Sequence, residues 1–230
     1  MRVKSNKLAL RVLSTATFLA MVSSCATAAF AGTYYMEKGS IVAKTDGNYI
    51  TQGDINDKKD EGETVITNRD SSTASENTVT IKAEEGSTAN VTLDNVNIDA
   101  SDTDKAAIHT EGNVTLELDG DNTLTGGEGH AALEKYSSSD KDYTLTLQDE
   151  TTGDGKTGSL TANGGAGGAG IGGGKGDGSI QSGQGFDITI KDGAHVEATG
   201  DKGGAGIGGG DGSAGGYGSG LGRDITIAGE

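Results

Sequence analysis

Eight residues, Gly167-Gly168-Ala169-Gly170-Ile171-Gly172-Gly173-Gly174, recur letter for letter at Gly203 to Gly210, an offset of 36. The flanks repeat in step. Leu160-Thr161-Ala162-Asn163-Gly164 matches Val196-Glu197-Ala198-Thr199-Gly200 by 36, and Asp187-Ile188-Thr189-Ile190 matches Asp224-Ile225-Thr226-Ile227 by 37. The added residue falls in the loop between, Lys175 to Phe186 against Asp211 to Arg223. Segments that hold register while a loop absorbs an insertion belong to stacked units, each in contact with its neighbours.

The repeated segments read as strands. Val79-Thr80-Ile81, Val91-Thr92-Leu93, Val114-Thr115-Leu116, Leu145-Thr146-Leu147, Ile188-Thr189-Ile190 and Ile225-Thr226-Ile227 alternate apolar and polar residues. Period two places one face inward and the threonines outward, and no window sustains a 3.6-residue period. Within a unit, a short Asp/Gly/Asn turn separates two strands, as in Leu118-Asp119-Gly120-Asp121-Asn122-Thr123-Leu124. A small-residue corner follows: Ala106-Ala107-Ile108, Ala131-Ala132-Leu133, Gly170-Ile171-Gly172 or Gly206-Ile207-Gly208. The expected fold is all-β, a right-handed parallel β-helix with three sides, that is, a β-solenoid. Coils spaced roughly 4.8 Å apart, about five to seven of them, make a rod roughly 25–35 Å long. Ile171 and Ile207 are expected to point into it, with neighbouring glycines at positive φ or passing close to the next coil.

The organisation along the chain follows from composition. Met1 to Arg11 holds four basic residues and no acid, an apolar stretch runs on to Val22, and Ala29-Phe30-Ala31 precedes Gly32. That is the pattern of a secretory signal peptide over 1–31. Val22-Ser23-Ser24-Cys25 resembles a lipobox, the alternative in which Cys25 is lipidated. Residues 32–63 are polar and read as an N-terminal lead-in or cap. Residues 64–230 form the repeat domain, which is expected to be incomplete at its C-terminus because the chain stops three residues after Ile227. Loss of the leader leaves fourteen basic residues against thirty-four acids, a net charge of about −20. Nucleic acid and anionic membranes demand a basic footprint, so neither is a partner. No transmembrane segment is expected, since the apolar stretch of the leader is too short for a span. The chain is expected to be secreted or cell-surface bound, and monomeric.

The motifs for chemistry fail on spacing. The phosphate-loop pattern breaks at Ala169 and Gly176, and the calcium nonapeptide would need Asp where Gly178 stands. Acid–base cleavage of a glycan needs converging carboxylates, and lyase chemistry needs a basic residue beside acids. Only Arg69 and Arg223 follow the leader, far apart, and the three histidines lack metal spacing. No enzyme is expected. Acids do gather at turns: Asp119 and Asp121, then Asp149 with Asp154. Turns need Asx and Gly for their own geometry. The functional reading is calcium, whose hard-oxygen preference suits carboxylates from stacked turns.

The run Val91-Thr92-Leu93-Asp94-Asn95-Val96-Asn97-Ile98, Ala106-Ala107-Ile108, Val114 to Leu124 and Gly158-Ser159-Leu160-Thr161-Ala162 resembles a known family. That family is the β-helical carbohydrate-binding domain of secreted and cell-surface proteins from clostridia and related bacteria. The Gly167–Gly174 coils resemble its Gly-rich variants. The resemblance implies a right-handed β-helix, calcium between coils, and binding of plant cell-wall polysaccharide such as cellulose or polygalacturonate. With no Trp and scattered tyrosines, the sugar is expected on a flat β face, held by Asn, Asp, Thr and Lys. The function expected is a non-catalytic carbohydrate-binding module, possible calcium assistance included. The rival is a structural surface rod or adhesin, and a pectate-lyase-like enzyme stands third.

Overall fold

A computed structural model of the chain describes residues 32–60, 62–136, 143–150, 157–176, 183–212 and 220–228. The leader, Cys25 and Asp154 lie outside the described residues. In chain order the strands are β1 (Gly32–Tyr35), β2 (Ile41–Thr45), β3 (Tyr49–Gln52), β4 (Ile55–Lys59), β5 (Thr64–Thr67), β6 (Val79–Ala83), β7 (Thr88–Asp94), β8 (Asn97–Asp99) and β9 (Ile108–Glu111). They continue with β10 (Asn113–Thr125), β11 (Leu133–Lys135), β12 (Leu145–Gln148), β13 (Gly158–Ala166), β14 (Ile171–Gly172), β15 (Gly185–Ile190), β16 (His195–Asp201), β17 (Ile207–Gly208) and β18 (Gly222–Ile227). One 3-10 turn, Met36–Lys38, is the only helical element among the described residues. The protein is all-β.

Three ladders share these strands. The first runs β1-β5-β7-β10-β12-β15-β18. The second joins β8, the C-terminal half of β10, β13 and β16. The third runs β2-β6-β9-β11-β14-β17. Every pairing in these ladders is parallel. Only β3 and β4, which extend the third ladder beyond β2, pair antiparallel. The chain visits the ladders in the same sequence on each pass: β7, β8, β9; then the two halves of β10, β11; then β12, β13, β14; then β15, β16, β17.

Register explains why the core needs no large residue. Thr64, Val91, Leu116, Leu147, Ile190 and Ile227 stand opposite one another along the first ladder. Ile41, Val79, Ile108, Leu133, Ile171 and Ile207 do so along the third. Aliphatic side chains thus stack on their own equivalents between facing ladders, and nearly all are fully buried in one cluster. Ile171 is fully buried, and Ile207 is half-buried and packed on the same cluster. The 36-residue offset is the register of the β14–β17 pair, and the 37-residue offset that of β15–β18.

Glycine is required where passes meet. Gly172 and Gly208 stand opposite each other at φ +127° and +133°, and a Cβ on Gly172 would collide with the Gly208 carbonyl. The segment 32–63, expected to be lead-in rather than core, departs from that expectation. Its polar composition hides an alternation that buries Tyr34, Met36, Ile41, Ala43 and Ile50 in the core. Only β3 and β4 lie off the parallel path, in the position of a cover over β2.

Candidate functional site

Alternation turns every second residue of the first ladder to its outer face, where Thr92 is buried beneath Glu63. Thr92, Glu117 and Gln148 stand opposite one another in one outward row. Asn90, Thr115, Thr146, Thr189 and Thr226 make the next. Glu63, Asp119 and Glu150, at strand ends, rise beside these rows and close a groove of about 420 Å³. The groove crosses four successive passes of the chain.

Its side chains are held in place by one another. Thr92 Oγ1 donates to Glu63 Oε1 at 2.5 Å. Gln148 Nε2 donates to Glu117 Oε2 at 3.1 Å, and the Glu150 amide to Glu117 Oε1 at 2.6 Å. At the far end Lys191 Nζ donates to Gln148 Oε1 at 2.5 Å and stands 3.7 Å from Glu150 Oε1. Burial raises the Glu117 pKa above its ordinary value against those two donors, and the charges of Asp119 and Glu150 raise it further. A row of fixed carboxylates, hydroxyls and amides can accept hydrogen bonds from a polyhydroxylated chain laid across it. Steps from strand to strand of roughly 4.8 Å would offer that chain the same contacts repeatedly.

The carboxylates expected to hold calcium are not brought together as a set. Asp119 lies on the groove wall, opposite Asp94 of the preceding strand. Asp121 is exposed, accepts from Ser159 Oγ at 2.9 Å, and donates its own amide to Asn95 Oδ1 at 3.2 Å. Asp149 is buried and accepts from the amide of Gly158, the first residue of β13, at 3.0 Å. Asp154 lies outside the described residues. Among the described residues no group of three or more His, Cys, Asp or Glu is placed to hold a metal ion.

Two features escaped the reading by motif. Glu117, Gln148 and Thr92 look like ordinary outward strand residues, and their only signal was parity shared across three aligned strands. Asn122, read as part of an acidic turn, is the fastener of the corner. Buried, it accepts the Val96 amide at 2.9 Å on Oδ1 and donates from Nδ2 to Ser159 O at 3.0 Å and Asp119 O at 3.1 Å. It joins three passes of the chain.

No protein-family model, curated protein or solved structure matches the chain. Fold and groove define an all-β protein of long parallel ladders with a polar, acid-rich face. Among the described residues no helix is long and apolar enough to cross a membrane.

Proposed function

We propose that this protein is a non-catalytic extracellular carbohydrate-binding module folded as a three-sided, right-handed parallel β-helix. The recurrent pass through three parallel ladders supports the fold. Parallel neighbours demand a long crossover, and here the strands of the other two ladders supply it. The secretory pattern of residues 1–31 supports export to the outside or the cell surface.

The observation that carries the function is the groove across Glu63, Thr92, Glu117 and Gln148. It is open, lined mostly by polar side chains with Val91 among them, and spans several strands rather than enclosing one small molecule. Its acceptors favour a hydroxyl-rich, neutral chain of the cellulose class. A uronate polymer would meet Glu63, Glu117, Asp119 and Glu150 as like charges and would need a cation between. Calcium assistance is proposed separately at the turns, through Asp119, Asp121, Asp149 and Asp154; of the three described, only Asp119 also lines the groove.

A glycan array probed with the protein in EDTA and in millimolar calcium tests the reading. Retention on β-linked neutral glycans is expected, with at least a tenfold loss for Glu117→Ala combined with Gln148→Ala. Removing hydrogen bonds to a bound ligand, two of them here, makes that loss the expected scale. No retention on any glycan would leave the structural rod or adhesin as the reading. Calcium has its own test. A melting temperature several degrees higher in calcium than in EDTA, the rise shrinking in Asp119→Ala/Asp121→Ala, supports the ion. Equal melting removes calcium and leaves the groove reading standing.

A further inference from the structure

The third ladder carries a second cluster on its outward side, remote in register from the groove. Thr80, His109, Glu134 and Gly172 stand opposite one another there. Glu134 receives an imidazole at each oxygen: His109 Nδ1 lies 3.1 Å from Oε1 and His130 Nδ1 2.9 Å from Oε2. The Ala131 amide donates to Oε2 at 3.2 Å. The outer nitrogen of each ring faces another carboxylate. His109 Nε2 lies 3.4 Å from Glu111 Oε1, and His130 Nε2 3.6 Å from Asp104 Oδ1. Lys82 closes the far end on Glu111 Oε1 at 2.7 Å. The next pass covers the middle, since a Cβ on Gly174 would come within 2.7 Å of Glu134 Oε2.

Acid and base thus alternate without a gap: Asp104, His130, Glu134, His109, Glu111, Lys82. We propose that this row is a proton-binding latch that ties residues 101–105, between the core residues Ala100 and Ala106, to β9 and β11 and opens as pH rises.

The geometry dictates the direction. With both rings protonated, each donates from Nδ1 to Glu134 and turns its Nε2 proton towards the outer carboxylate as an ion pair. Glu134 only accepts, so a ring that loses one proton keeps the one on Nδ1. Its Nε2 lone pair then faces a carboxylate oxygen, acceptor against acceptor, and the outer contact is lost. The contact given up by His130 is the one to Asp104, whose side chain is 98% exposed. Beside it lies a cavity of about 250 Å³ between Thr78, Thr80, Lys105 and the two histidines, which the release of 101–105 would widen.

The carboxylates facing the rings favour their protonation, and the lysines around them oppose it. Glu134 comes from β11, Glu111 from β9, Asp104 and Lys105 from the 101–105 segment, and Lys82 from β6, with Lys175 over Gly129 on the next pass. The hydrogen bond to Glu134 is the first cause of a raised His130 pKa; burial opposes it and the Glu134 and Asp104 charges reinforce it. A raised folded-state value makes the latch fully present below the ordinary histidine range and lost as pH climbs through the folded value.

Proton NMR of the whole protein, following the His130 ring through a pH titration, tests the proposal. His130 should titrate above the ordinary histidine range. Protection of the Gly127 amide, which donates to Lys105 O at 2.8 Å, should fall as His130 deprotonates. Glu134→Gln should bring the His130 midpoint down towards that range. Should that variant not fold, Asp104→Asn carries the test on an exposed carboxylate. It should lower the midpoint by a smaller amount and make Gly127 protection independent of pH across the transition. A native His130 midpoint at or below the ordinary histidine range overturns the proposal. So does Gly127 protection that holds constant through the His130 titration.

Discussion

Ile171 and Ile207 occupy equivalent positions but differ in what covers them. Ile171 is fully enclosed by passes on both sides, whereas Ile207 lies on β17, the last described strand of the third ladder. Ile171→Ala should cost about 2–5 kcal/mol, the range for truncating an enclosed aliphatic side chain. Ile207→Ala should cost less, and urea midpoints of the two variants measure the difference. Glycines separate two effects in the same way. Gly86 and Gly172 both have positive φ, yet a Cβ on Gly86 meets nothing within 4 Å while one on Gly172 meets the Gly208 carbonyl. Gly86→Ala should lose about 1 kcal/mol for its backbone alone. Gly172→Ala should lose clearly more, because backbone cannot step aside as a flexible side chain would. Matching losses in the two thermal melts would contradict the close approach.

Elements here are short, and their corners decide their lengths. β10 runs for 13 residues because Gly120, at φ +61°, lets it turn from the first ladder to the second without a break. Asn122 supplies the hydrogen bonds that the bend leaves unmade. The two ladders also respond to acid with opposite sign. Burial disfavours ionised Glu134, but hydrogen bonds from His109 and His130 outweigh it and pull its pKa from 4.5 to about 2. Its contribution, on the order of a few kcal/mol, is therefore present above pH 4.5 and lost as pH falls towards 2. Glu117 has the raised value, so its contribution declines as pH rises from the ordinary glutamate range into the raised one. Thermal melts from pH 2 to 7 should show Glu134→Gln with a shallower acid decline than the parent. Glu117→Gln should gain stability at neutral pH and nothing once both states are protonated.

At the scale of the molecule, stability comes from ladders whose members touch only adjacent passes. Circular dichroism should be dominated by β structure, and a substantial helical signal would contradict the fold. Period-two alternation and the 36- and 37-residue offsets determined that the chain is all-β, which residues of the repeated strands face inward, and that β14 meets β17. Those are nearest-neighbour facts, and a repeat writes them into the sequence directly. Lining up the other passes was a different matter. The steps from Val91 to Leu116, Leu147, Ile190 and Ile227 are 25, 31, 43 and 37 residues, because turns of unequal length intervene. No single period reveals that Glu117 stands between Thr92 and Gln148, or that His109 and His130 share Glu134. Lone outward residues in separate strands carry no mark of their partners. Only parallel pairing, which closes each turn and brings every strand against the next, decided which of them became neighbours.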